Sequence, residues 1–385
     1  MNDGKEKIGM ISVDDHAQEP ANLWTDRLSK NRWGERIPHI ERRPDGTERW
    51  LVDDRAPELG GVASAAALMD DRNTEPQRWT EVPRAVYDPT ERLKAMDADG
   101  IDCSVLYPTI SGVGGEVLGR IADPELELAC VRAYNDWLID EWASASARFI
   151  PQCLVPLSSV HAAVKEIERA VRRGHRGVIL PGIPMELRDV PHINGPEYDP
   201  LWAACQDLAV PICFHAGASA ATQLKPYAGF SPAVASAFAA LTRPASTIFV
   251  LVNFLLSRIL FRFPELKVVF SESALGWGSY LLEYADYQFA NDRIHLEGYP
   301  LKPSELFRRQ CFVTGWYDRA SLQEPGLVGI DNILWCANFP LATSTWPDSR
   351  KFVERSFAGL SDSARRKILW DNAAALYKID AKKIG

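Results

Sequence analysis

The sequence predicts an α/β fold in the form of a closed TIM (β/α)8 barrel, on two observations. From residue 91 onward, short apolar runs alternate with stretches of helical periodicity, and the runs number eight once residues 8–14 are added. Strands that alternate with helices pair in parallel, and eight such units close into a barrel with its active site at the strands' carboxyl ends. An open doubly wound sheet fits less well, because no Gly-rich phosphate loop follows any strand.

The strands are expected near residues 8–14, 101–107, 149–155, 177–180, 210–215, 267–271, 310–314 and 332–336, with helices over 125–146, 159–173, 200–208, 277–292 and 348–360. Residues 20–90 break this rhythm. There, two apolar runs flank Pro44-Asp45-Gly46, a hairpin turn signal, in a segment that also carries Trp24, Trp33, Trp50 and Trp79. The segment is expected to be an insertion after strand one, folded over the barrel mouth as a lid or pocket wall, within a single domain spanning 1–385. A peripheral hairpin that only packs on the barrel is the alternative.

With 385 residues, 46% hydrophobic and 24% charged, the chain is long enough and ordinary enough in composition for one large barrel. A net charge of −8 argues against nucleic acid and anionic membranes as partners, since both call for a basic face. Residues 1–7 carry charges and no apolar core, which is no secretory signal. The apolar stretch 247–263 is short for a membrane span and contains Arg258 and Arg262, so it is expected as a buried helix. Seven cysteines, odd in number, widely spread and without a CxxC pair, are expected to be unpaired core thiols in a reducing cytoplasm. The expected partner is a small-molecule substrate, and the exposed insertion and two apolar late helices leave room for a homodimer.

Asp14-Asp15-His16 ends the first apolar run, and an acid at i with a histidine at i+2 faces one side of a strand. Pro211-Ile212-Cys213-Phe214-His215 ends another run in a histidine. Glu272 and Asn338 close two later strands, and side chains from different strand ends converge in a barrel. Mixed imidazole and carboxylate donors suit one divalent ion, zinc first, with manganese or iron(II) as alternatives, and three protein ligands leave a position for water or substrate. His192 in the loop after strand four, Trp277 beside Glu272, Trp316, and Trp50 and His39 in the insertion are candidate substrate contacts for a flat apolar ligand. No Gly-x-Ser-x-Gly elbow points to a serine hydrolase.

Val13-Asp14-Asp15-His16-Ala17-Gln18-Glu19-Pro20, Tyr87-Asp88-Pro89, Tyr198-Asp199-Pro200-Leu201-Trp202, Phe214-His215, Ser271-Glu272-Ser273 and Ser344-Thr345-Trp346-Pro347 occur in order along the chain. In these segments it resembles the amidohydrolase-related family, which includes the aminocarboxymuconate semialdehyde decarboxylases. The resemblance implies a barrel that binds one divalent metal and acts on small organic acids, aromatic compounds or their breakdown products. On the family pattern the metal ligands fall on Asp14, His16 and His215. The pattern's aspartate before aromatic-Pro-His reads Asn338-Phe339-Pro340-Leu341, and an amide cannot take up a proton at neutral pH. The His-Gly-Gly segment of several decarboxylases is also missing, with Asn253 and Arg258 in that region. Glu272 is therefore expected as a further ligand or general base, with His215 and Asn338 as the other catalytic candidates. The expected activity is hydrolysis of a cyclic or aromatic-derived substrate by metal-bound water. The alternatives are non-oxidative decarboxylation and a catalytically impaired barrel that holds a ligand without turnover.

Overall fold

Eight strand positions form one closed ring of parallel strands. They are β1 (Ile11–His16), β4 (Cys103–Tyr107), β5 (Phe149–Pro151) with β6 (Cys153–Leu154), β7 (Val178–Ile179), β8 (Ile212–His215), β9 (Val268–Ser271), β10 (Cys311–Gly315) and β11 (Ile333–Trp335). A break at Gln152 divides β5 from β6, and the ladders run β1-β4-β5 and β6-β7-β8-β9-β10-β11. Two backbone bonds close the ring, His16 N–H to Phe339 O at 2.7 Å and Asn338 N–H to Asp14 O at 3.0 Å. This computed structural model describes residues 8–57, 59–218 and 228–384. Residues 1–7, expected to hold no signal segment, lie outside them.

The strands are short apolar runs, and nearly every strand residue is buried, as a parallel sheet covered on both faces requires. Helices begin where the sequence supplies caps. Asp88 before Pro89 accepts from the Thr90 and Glu91 N–H groups, and Asp123 before Pro124 does the same for Glu125 and Leu126. The helices Val160–Arg173, Asp199–Asp207, Gly276–Asn291 and Ser349–Ser356 match the expected ones to within a few residues at most ends.

Polar side chains weld the strand ends. Asp15 points away from its two neighbours and accepts from the Ser12 hydroxyl (2.8 Å), the Ser104 hydroxyl (2.6 Å) and the Phe339 N–H (3.0 Å), tying β1 to both adjacent strands. A register shift in the β1–β4 pairing falls between Ser12 and Asp15, a bulge that re-aims the end of β1. The buried Arg92 donates to His16 O at 2.7 Å and lies 4.4 Å over the Phe339 ring. Glu19 is fully buried and accepts from the N–H groups of Thr109 (3.1 Å), Ile110 (2.8 Å) and Ser111 (2.9 Å), holding the loop after β4. Glu19→Ala strands three buried donors and is expected to cost about 2–3 kcal/mol of stability. Denaturant unfolding checks this, and a cost under about 0.5 kcal/mol would mean that water replaces the carboxyl without penalty.

Between β1 and β4 lies an antiparallel hairpin, β2 (His39–Arg42) with β3 (Glu48–Leu51), as Pro44-Asp45-Gly46 predicts. The buried Trp50 packs edge-on against Trp24 (5.7 Å) and Trp79 (6.4 Å) and donates to Val62 O at 2.8 Å, joining this segment to the barrel's hydrophobic core. All seven cysteines are buried and unpaired. The apolar run expected as a buried helix is buried on one side only. Phe254 packs on Phe214 (5.1 Å) and Trp202 (5.7 Å), while Phe249 is 64% exposed. The preceding helix, Pro232–Thr242, has no buried residue. Together, residues Pro232–Leu256 are the one described stretch long and apolar enough to cross a membrane by length and composition alone.

Candidate metal centre and active site

The mouth of the barrel brings Asp14 and His16 of β1 against His215 at the end of β8. One donor atom from each lies within 4.8 Å of the others, and all three residues are buried. Asp14 Oδ1 is 3.3 Å from His215 Nε2 and 3.6 Å from His16 Nε2, and the two imidazoles meet edge to face at 5.1 Å. Each ring's Nδ1 faces a backbone carbonyl, Pro108 O for His16 (3.1 Å) and Ala216 O for His215 (2.8 Å). Those contacts hold a proton on each Nδ1 and turn each Nε2 inward toward Asp14, the outer support that metal-binding histidines need. Both oxygens of Asp14 and both Nε2 atoms are buried without a hydrogen-bond partner. Leaving four such atoms unpaired is costly, and a divalent cation between the two nitrogens and the carboxylate compensates them. The residues fit the ion.

Electrostatics divide the two rings. Burial disfavours charge on both; in His16 it prevails and the pKa falls to about 4, whereas beside Asp14 it is outweighed in His215, which rises to about 9. Glu272 follows β9 with Oε2 3.9 Å from His215 Nδ1, and its other oxygen accepts from Arg243 (2.6 Å) and the Asn338 amide (3.1 Å). Burial pushes the Glu272 pKa up, but the Arg243 guanidinium and His215 overcome this and hold it below its ordinary value. Glu272 and Asn338 both adopt positive φ, 51° and 59°. This is a conformation that non-glycine residues rarely hold and that clusters at functional sites.

A cavity of about 620 Å³ reaches this cup at His215. His215, Arg243 and Glu272 line its base, Glu116, Val117 and Arg120 one wall, residues 52, 53, 55–57 and Leu59 another, and Leu341 a third. The expected substrate contacts fare differently. Trp50 is locked in the hydrophobic core against Trp24 and Trp79. His39 bonds Ile37 O at 2.7 Å and faces Glu35, because the stretch between β1 and β4 that lines the cavity follows β3 and is not β2 itself. His192 is exposed, with Nδ1 accepting from Asn194 N–H. Trp277 donates to Ser273 O at 2.5 Å, and Trp316 is buried against Tyr317. None of the five lines the cavity. Asn253 pairs with Asn194, and Arg258 stacks on Tyr299, so neither stands in for the missing histidine.

Sequence reasoning missed Arg243 and Glu116. Arg243 sits at the junction of two helices in an apolar region with no motif around it. Glu116 did carry a signal. A glycine-rich turn, Gly112-Val113-Gly114-Gly115, does follow β4, and it holds a protein carboxyl where such loops elsewhere hold phosphate.

A family model described as Amidohydrolase matches residues 65–379. A gamma-resorcylate decarboxylase of Polaromonas sp. is 24% identical over 331 residues, 83% of this chain and 96% of that one. Another from Rhizobium radiobacter is 29% identical over 141 residues, 36% of this chain and 42% of its own length. Among solved structures, an amidohydrolase of Mycobacterium avium subsp. paratuberculosis superposes with a TM-score of 0.76 at 21% identity, over 97% of this chain and all of the other. For a 2,6-dihydroxybenzoate decarboxylase from Rhizobium the values are 0.66 and 20%, with the same coverage. These decarboxylase relatives overturn the expectation of hydrolysis. The matched span, the barrel and the order of its strands lead to one statement: the chain belongs to the amidohydrolase family and is an enzyme of that superfamily.

Proposed function

We propose that this chain catalyses the non-oxidative decarboxylation of a hydroxylated aromatic carboxylic acid, using one divalent ion held by Asp14, His16 and His215. The observation that carries the reading is a single cavity that joins His215 of that cation cup to the Arg243 guanidinium under partly apolar walls. Relatives named for gamma-resorcylate and 2,6-dihydroxybenzoate decarboxylation supply the reaction class. Manganese, bound in a dihydroxybenzoate decarboxylase of Polaromonas, and zinc both suit the donor set.

When bound, the ion supplies positive charge for a substrate carboxylate and its neighbouring hydroxyl oxygen. The chain does the rest. Arg243 offers a fork of donors to an anionic group, Glu272 holds that fork in place, and Leu341 and Val117 give an aromatic ring apolar surface. The test is a panel of hydroxylated benzoates incubated with metal-loaded protein, read by CO2 release and by the aromatic product. Turnover lost to a chelator and restored by manganese or zinc is the expected result. If no member releases CO2 under those conditions, the proposal fails.

A further inference from the structure

Three carboxyl side chains line the cavity, and two are committed. Asp53 is paired with Arg36 at 2.7 Å and Glu272 with Arg243 at 2.6 Å. Glu116 has no cation within ion-pair distance among the described residues, and its carboxyl accepts from backbone N–H groups, that of Gly114 at 2.8 Å and its own. The turn is shaped around that carboxyl. Gly112 has φ +88°, and a Cβ there would stand 2.5 Å from Glu116 Cδ and Oε2, so the carboxyl rests where any other residue would have a side chain. Glu19, from the end of β1, pins the N–H groups at the start of the same loop.

We propose that Glu116 is the proton donor of the reaction, an inference that rests on the decarboxylase reading. A decarboxylation must deliver one proton to the ring carbon that loses its carboxylate. Asn338, standing where the family pattern has an aspartate, has no acidic proton to give. In the step assigned here, the Glu116 carboxyl proton bonds to the ring carbon bearing the carboxylate. The bond from that carbon to the carboxylate then breaks, CO2 leaves, and the bonding pair restores the aromatic ring. Water reaching the cavity returns a proton to the Glu116 carboxylate, so substrate anion plus one proton gives arene plus CO2. Burial pushes the Glu116 pKa up to about 7, which leaves the acid form populated at neutral pH. The charged groups around it are His215 from β8, Arg120 on its own segment, Arg243 and Glu272 at the cavity base, and Asp53 and Arg55 from the insertion.

The experiment compares metal-loaded wild type with Glu116→Gln. The variant is expected to lose kcat about a thousandfold while KM and metal content stay within about twofold. The wild-type kcat should fall as pH rises through about 7, since a donor must be protonated, and this limb should vanish in the variant's residual activity. Gly112→Ala, which displaces the carboxyl without removing it, should lower kcat in the same way. A readout without turnover is the infrared difference spectrum between the two proteins, expected to show a protonated carboxyl band that disappears above pH about 7. A Glu116→Gln protein that keeps its kcat and its pH limb, or a difference spectrum without that band, overturns this inference alone. Wild-type protein that releases no CO2 from the benzoate panel overturns the decarboxylase reading and this inference with it.

Discussion

His215→Ala is expected to abolish stoichiometric binding of a divalent ion and to lower kcat/KM toward a hydroxylated benzoate about a thousandfold, ~4 kcal/mol of barrier. The size follows from what the residue does. Asp14 and His16 come from one strand and approach the cation position from one side, and His215 closes it from β8. Without it only two protein ligands remain, and Asp14 Oδ1 loses its neighbour at 3.3 Å while staying buried. The apo protein should lose stability as well, by about 1–3 kcal/mol, because the buried Asp14 carboxyl loses its charge contact with His215. Elemental analysis and steady-state kinetics check the first result, and denaturant unfolding of the apo forms checks the second. His192→Ala is the contrasting control. That ring is exposed and outside the cavity, so kcat/KM should stay within about twofold. A His215→Ala protein that keeps one tightly bound metal would place the cation elsewhere.

The contrast shows which parts of the molecule a sequence displays. The barrel strands were legible because each is a short apolar run buried on both faces, and the ligands because they terminate such runs; period two puts Asp14 and His16 on one side. The hairpin was legible from its turn. The aromatic residues misled, because Trp50 and Trp277 are chemically as able to cover a ligand as to fill a core, and only packing decides. Trp50 found two other tryptophans. Arg243 was invisible for a related reason. Its role arises where the helices Pro232–Thr242 and Pro244–Leu256 meet over the end of β9, a junction made by tertiary packing with no local pattern. Asn338 was visible, but its consequence was not. Its amide donates to Glu272 at 3.1 Å and to Thr343 at 2.8 Å, whereas an aspartate there would set two carboxylates against each other. The asparagine thus matches a carboxylate already in place at Glu272.

Arg243→Met should raise KM for the aromatic acid about a hundredfold, ~3 kcal/mol of binding, and lower stability by about 2–4 kcal/mol. Two separate losses add up here. The guanidinium lines the cavity base, where a substrate carboxylate would receive charge-assisted hydrogen bonds, and methionine keeps an unbranched apolar stem but none of the donors. The same group is the nearest cation for Glu272, which is 3% exposed and left with the Asn338 amide and the more distant His215 ring, 3.9 Å away, when Arg243 is removed. A buried carboxylate without its cation tends to take up a proton or draw in water, so the stability deficit should shrink as pH falls and Glu272 is neutralised. Arg243→Lys separates the two roles: it keeps the charge beside Glu272 and should recover most of the stability, but it lacks the planar fork and should recover less of KM. Unchanged KM in Arg243→Met with stability lost would confine the arginine to holding Glu272. Unchanged stability would mean that the Arg243–Glu272 contact, despite its 2.6 Å length, is replaced without penalty by solvent from the cavity.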